Sequence, residues 1–169
     1  MKSLIKYFCI ALIVAATAML HACKPDKNFP DEPIIQFEDI IKVKGQNGKD
    51  TISIVRISFT DGDGDLGLSQ SDTFPPFDTV PYSSNYFAAY FEKQNGVFVE
   101  VNLPIPITAR IPDLTPVGKN KAIEGDIDMN MQLKPGAVFD TIRYEIYIVD
   151  RTLNHSNTVT TSEIVINTQ

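Results

Sequence analysis

Residues 140–157 read DTIRYEIYIVDRTLNHSN. Ile142, Tyr144, Ile146 and Ile148 take every second position, with Arg143, Glu145 and Tyr147 between them. A period of two puts alternate side chains on opposite faces of an extended chain, so this stretch is a strand with one dry face. Working outward, Ile123, Gly125, Ile127, Met129 and Met131 alternate with Glu124, Asp126, Asp128 and Asn130 in the same way. The three acids of that row then read as a solvated edge. Val159–Ile166 makes a last strand. Tyr86–Phe91 and Val97–Val101 flank Lys93-Gln94-Asn95-Gly96, and Asn-Gly between apolar runs predicts a hairpin. Thr51–Phe59 is rich in β-branched residues, and its apolar phase moves from Ile52 and Ile54 to Val55, Ile57 and Phe59, which predicts a bulge. With Ile34–Phe37 and Ile105–Ile111 the set reaches seven or eight strands. From Pro33 onward no helical period lasts more than about two turns. Short antiparallel strands at this spacing make an all-β sandwich or barrel.

Two details point to the sandwich. Asp140 and Tyr144 have the spacing of Asp-x-x-x-Tyr, which resembles a tyrosine corner. Asp150-Arg151-Thr152-Leu153-Asn154-His155-Ser156-Asn157 resembles the Asp-Arg-x-Gly-Asn-x-Ser turn before the last strand of many bacterial immunoglobulin-like modules. Leu153 stands where glycine is usual. The resemblance implies an immunoglobulin-like β-sandwich over residues 34–169.

The chain opens MKSLIKYFCIALIVAATAMLHAC over residues 1–23. Lys2 and Lys6 precede an apolar run from Tyr7 to Leu20, shorter than the roughly 20 residues a spanning helix needs. A basic start, a short apolar stretch and small residues at its end predict a secretory signal peptide over residues 1–22. Leu20-His21-Ala22-Cys23 resembles the lipobox of bacterial lipoproteins, in which the cysteine becomes the mature N-terminus and carries acyl chains such as palmitate. That resemblance implies Cys23 as the lipidation site and a membrane anchor through lipid. Cys9 would leave with the signal and Cys23 would be consumed by lipid, so no thiol remains, which is self-consistent for an exported protein. Residues 23–33, with Pro25, Pro30 and Pro33, then read as a tether.

The whole layout is similar to a family of uncharacterised Gram-negative lipoproteins. Its members share a lipobox, a strand running into Ser-Phe-Thr-Asp-Gly-Asp-Gly-Asp-Leu-Gly and a closing Asp-Arg-x-x-Asn-x-Ser-Asn-x-Val-x-Thr. Those segments are Ser58–Gly67 and Asp150–Thr160 here. The resemblance implies an outer-membrane lipoprotein facing the periplasm or the cell surface, and it brings no known activity.

Asp61-Gly62-Asp63-Gly64-Asp65-Leu66-Gly67 is the sharpest local feature. Carboxylates at alternate positions with glycines between them can bend round one hard cation, and Ca2+ takes six to eight oxygens. With Asp61 as position one, the Gly67 carbonyl falls at seven, Ser69 at nine and Asp72 at twelve, which resembles an EF-hand loop. Leu66 replaces that loop's glycine, Asp72 replaces its bidentate glutamate, and a strand precedes the loop. The expected metal set is Asp61, Asp63, Asp65, Gly67 and Asp72, with calcium the expected cofactor. Glu38, Asp39 and Asp150 are candidates to complete the shell. The alternative is a pair of Asp-Gly turns with solvated carboxylates.

The 169 residues are 43% hydrophobic and 21% charged, without tryptophan, and carry a net charge of -6. Loss of Lys2 and Lys6 with the signal makes the remainder more acidic still. An acidic surface argues against nucleic acid, whose phosphates need a basic one. No Gly-x-Ser-x-Gly elbow, Cys/His cluster or phosphate loop occurs, and His155 beside Ser156 is not a relay. The expectation is a non-enzymatic binding or structural module with an unknown protein or glycan partner. Ser69–Ser84 is the one long irregular stretch, and its aromatics Phe74, Phe77 and Tyr82, within the region 74–91, are candidate glycan contacts.

Overall fold

The structure is a computed structural model that describes residues 28–118, 121–135 and 137–168. The expected signal segment and Cys23 lie outside the described residues, as does the tether as far as residue 27. The strands are β1 (Ile34–Lys44), β2 (Asp50–Asp61), β3 (Tyr86–Gln94), β4 (Val97–Glu100), β5 (Ile107–Ala109), β6 (Ile123–Gln132), β7 (Thr141–Ile148), β8 (Val159–Thr160) and β9 (Ile164–Val165). No helix occurs among the described residues.

They form two sheets. One has the order β1-β2-β6 and the other β4-β3-β7-β8, with β5 added beside β3 and β9 beside β7. Every pairing is antiparallel. In immunoglobulin lettering this is A-B-E facing C′-C-F-G, so the chain is an immunoglobulin-like β-sandwich. Val55, Ile57, Phe59 and Met131 meet Tyr86, Tyr90, Ile142, Tyr144, Ile146 and Ile148 in one core. The alternation in β7 and β6 holds: Ile142, Tyr144, Ile146 and Ile148 are buried, while Glu124, Asp126 and Asp128 are exposed. Arg56 grips Asp128 with two 2.7 Å hydrogen bonds on that wet face. The hairpin also forms as expected, with Gln94 opposite Val97 and positive φ at both Asn95 (51°) and Gly96 (85°).

Three expectations need correction. The bulge expected at the Ile54–Val55 step of Thr51–Phe59 does not form there: the ladder to β6 is continuous from Ile52 to Asp61, and the register against β1 slips instead at Thr51, between the pairs Val43–Ile52 and Lys44–Asp50. Ser53 points inward in phase with Val55, Ile57 and Phe59, and its hydroxyl meets the Tyr144 hydroxyl at 3.0 Å across the sandwich. A satisfied polar side chain holds the inward position that the apolar pattern seemed to vacate. The same bond removes the tyrosine corner. Tyr144 reaches the opposite sheet, and Asp140 is exposed and accepts from the Thr141 hydroxyl at 2.9 Å. The last strand is split because the Thr161 hydroxyl, where a ladder carbonyl would stand, accepts from the Tyr144 N–H at 3.0 Å.

Side-chain amides also take the place of backbone. Asn157 donates to the Ile35 carbonyl at 2.9 Å and accepts from the Ile35 N–H at 2.8 Å, which ties β1 to the segment before β8. Asn85 accepts from the Ile111 N–H at 2.6 Å and so fixes the segment that runs under the acidic loop.

Candidate metal centre

Asp61 ends β2 on the inward phase set by Ser53, Val55, Ile57 and Phe59, so the strand itself buries it completely. The loop then folds back. Gly62 N–H donates to the Pro30 carbonyl at 2.7 Å and Gly64 N–H donates to Asp61 Oδ1 at 3.0 Å. Gly64 has φ 66°, and a Cβ there would stand 1.9 Å from the Lys121 carbonyl, so only glycine fits. Leu66 and Leu68 plug into the core, with Leu68 N–H bonded to the Ile111 carbonyl at 2.9 Å and Leu114 N–H to that of Leu66 at 3.0 Å. The loop is therefore anchored on both sides of its apolar residues, and its carboxylates are held near one another.

Oxygens of Asp61, Asp63 and Asp65 all lie within 4.8 Å of one another. Asp61 Oδ2, Asp63 Oδ1 and Asp65 Oδ1 are buried without a hydrogen-bond partner. Buried acceptors left unsatisfied are costly, and three on adjacent carboxylates more so. Burial, together with the neighbouring Asp63 and Asp65, pushes the Asp61 carboxyl up to about 7. Burial and the charges of Asp150 and Asp63 push Asp65 up as well. A cation with ligands at roughly 2.3–2.6 Å spans oxygens this far apart, and an all-carboxylate set selects a hard ion such as Ca2+ over zinc or copper. Three carboxylates at this separation are the donor chemistry that calcium takes.

The loop's other expected ligands are engaged elsewhere. The Gly67 carbonyl accepts from Arg151 Nη2 at 3.0 Å, and Asp72 Oδ2 accepts from the Ser69 N–H at 2.6 Å. Arg151 Nη2 also pairs with Asp113 at 2.8 Å. The Thr115 hydroxyl and N–H, then Arg151, hold Asp113 down at about 2. Glu38 accepts from the Ser58 hydroxyl at 2.6 Å and Asp39 from the Ile40 N–H at 2.8 Å, both on β1. Asp150 does reach the site, but as a buttress. Its carboxylate accepts from Asn154 N–H at 2.7 Å, Asn154 Nδ2 at 2.9 Å and the Thr152 hydroxyl at 3.2 Å, shaping the turn whose Thr152 N–H donates to Asp65 Oδ2 at 3.0 Å.

The expected glycan contacts lie on the long loop between β2 and β3. Phe74 is exposed, Phe77 and Tyr82 are half-buried, and Arg110 pins their loop by donating to the carbonyls of Ser69, Asp72 and Ser83. His155 stacks on Tyr147 with centroids 5.4 Å apart, and Tyr147 on Phe87 at 4.9 Å. The Ser156 hydroxyl accepts from the Ile148 N–H at 3.0 Å and donates to the Asn157 carbonyl at 2.7 Å. Of the row Phe87–Tyr147–His155, Phe87 falls inside the region 74–91 whose aromatics the sequence marks as candidate glycan contacts, whereas its partners Tyr147 and His155 lie far along the chain, where the one signal is an aromatic residue on the outward phase of β7.

No family model matches the chain, and no curated protein does. Among solved structures, a Niemann-Pick type C2 protein from Japanese carpenter ant is similar over 81% of this chain and 96% of its own, at 12% identity and a TM-score of 0.34. A likeness that slight carries no inference about this chain.

Proposed function

We propose that this chain is a lipid-anchored, non-enzymatic binding or structural module of the bacterial envelope, with calcium stiffening the end of its sandwich at Asp61, Asp63 and Asp65. The observation that carries the metal reading is the convergence of three buried carboxylate oxygens that have no partner. Solvated Asp-Gly turns would leave those atoms in water. Asp61 belongs to β2 of one sheet, and Asp65 is bonded to the turn that follows β7 of the other. An ion held between them would therefore brace the two sheets against each other. Outer-membrane anchoring through Cys23 rests on the lipobox-like Leu20-His21-Ala22-Cys23.

Thermal unfolding in EDTA and in millimolar Ca2+ tests the metal. Ligand at about a hundredfold over its dissociation constant stabilises by roughly 2.7 kcal/mol, which for this size is a shift of about 5–10 °C. The shift should vanish in Asp63→Asn/Asp65→Asn. An equal melting temperature with and without calcium would leave the loop as a charged turn. Cys23→Ala should abolish acyl labelling and release the protein from the membrane fraction; continued labelling would sink the anchor.

A further inference from the structure

The outer face of the six-stranded sheet holds a second feature, a cavity of about 420 Å3 whose lining includes none of the acidic loop. That volume falls within the roughly 300–1,000 Å3 of small-molecule sites. The ladder between β3 and β7 explains why it opens. Its outward pairs are Phe87 with Tyr147, Ala89 with Glu145 and Phe91 with Arg143, so a methyl group lies between two bulky rows. The segment 101–108, which leaves β4 and returns as β5 beside β3, forms the far wall.

The lining joins two kinds of chemistry. Phe87 and Tyr147 are stacked 13° from parallel, and His155 continues the row at 12°. Rings fixed against one another lose little freedom when something packs on them. Around them stand Glu100, Asn102, Glu145 and Thr158, which supply carboxylate, amide and hydroxyl groups. No Lys or Arg lines the cavity, so an anion would find no countercharge there. Arg143 stands over Phe91 and Phe98 and reaches Glu145 Oε1 at 3.4 Å, which offsets that glutamate's charge and weakens the pull on an organic cation.

We propose that this cavity is a binding subsite for a neutral saccharide. A sugar ring has an apolar C–H face for Phe87, which Tyr147 backs on one side, and hydroxyls that hydrogen-bond to Glu100, Asn102 and Glu145. This places saccharide recognition on the sheet face, on a lining that does not include Phe74, Phe77 or Tyr82. It does not rest on calcium.

Isothermal titration of the full chain against cellohexaose, xylohexaose, mannohexaose and maltohexaose tests it, with choline and spermidine as cationic probes and heparin as the anionic one. At least one neutral hexasaccharide should bind. Phe87→Ala and Glu145→Gln should each weaken it about tenfold, the worth of one ring contact or charged hydrogen bond. Asn102→Ala, which alters an exposed side chain between the core-packed Val101 and Leu103, should weaken it severalfold in a protein that still melts normally, and Phe74→Ala should leave it unchanged. Failure of all four sugars, binding of choline, spermidine or heparin alone, or an affinity unmoved by both Glu145→Gln and Asn102→Ala would overturn the proposal. An affinity that follows Phe74→Ala would also overturn it and move the site to the long loop.

Discussion

The Thr152 N–H donates to Asp65 Oδ2 at 3.0 Å across 87 residues of sequence. Beside it Arg151 Nη2 holds the Gly67 carbonyl at 3.0 Å. The two segments that stand out in the sequence, Ser58–Gly67 and Asp150–Thr160, thus build one end of the sandwich together. The acidic loop supplies carboxylates, and the closing turn supplies the donors that aim them. Asp150 acts one step back by shaping that turn through Asn154.

The metal-free protein should lose stability as pH rises from about 4 to about 7. Asp61 has its folded value pushed up to about 7 from an ordinary 3.8, and Asp65 moves the same way. Between those values the folded state keeps a proton that the unfolded chain has released, so the slope of stability against pH is negative there. On the acid side Asp113, held at about 2, and Asp50, held low by the Asn167 N–H, act oppositely and withdraw stability as pH falls below about 4. Melting temperature in EDTA should therefore be higher at pH 5 than at pH 8, and Asp61→Asn should flatten the decline. With calcium bound the order should reverse, since deprotonated carboxylates hold the ion. A melting temperature in EDTA that climbs from pH 5 to pH 8 would count against a buried, protonatable Asp61.

The Ser53–Tyr144 hydroxyl pair should behave as a coupled unit. Both residues are fully buried and their oxygens lie 3.0 Å apart. Removing one hydroxyl strands the other, so Ser53→Ala and Tyr144→Phe should each cost about 1–3 kcal/mol. The double variant strands neither and should cost less than the sum, by on the order of 1 kcal/mol. Urea unfolding of the four proteins measures the difference, and strict additivity would mean that the pair makes no bond.

That pair also explains which parts of the fold were legible. Strands β6 and β7 have one wet and one dry face, and the period of two shows through directly in Ile123–Met131 and Ile142–Ile148. Strand β2 places Ser53 and Asp61 on its dry face. Its apolar residues alone therefore suggest a change of phase between Ile54 and Val55, where the inward series runs on unbroken from Ser53. Extending the inward series through Val55, Ile57 and Phe59 reaches Asp61, and that extension marks it as the buried acid. The partners of the site are another matter. Arg151 on the Gly67 carbonyl and Thr152 on Asp65 depend on how β2 and β7 are arranged in the sandwich, and no spacing within either segment encodes it. Gly67 and Asp72 fitted a contiguous calcium loop in sequence, whereas Arg151 and the Ser69 N–H claim them in space.

Leu153 gives the sharpest test of the closing turn. It takes φ 70°, the left-handed region, at the place where glycine is usual in similar turns. For a residue with a Cβ that conformation costs roughly 1–2 kcal/mol. Asp150 enforces it, since its carbonyl accepts from Leu153 N–H at 3.3 Å while its carboxylate holds Asn154. Leu153→Gly removes the strain but adds about 0.5–1 kcal/mol of freedom to the unfolded chain, and it gives up the packing of a half-buried side chain. The net should be between neutral and about 1 kcal/mol more stable. Leu153→Val puts a β-branched residue at positive φ and should destabilise by about 1 kcal/mol or more. Because Thr152 N–H holds Asp65, the valine variant should also raise the calcium concentration needed for half the thermal shift, while the glycine variant leaves it near wild type. Urea unfolding and a calcium titration read the two effects separately. A valine variant as stable as the wild type would mean that the turn does not hold Leu153 in the left-handed region.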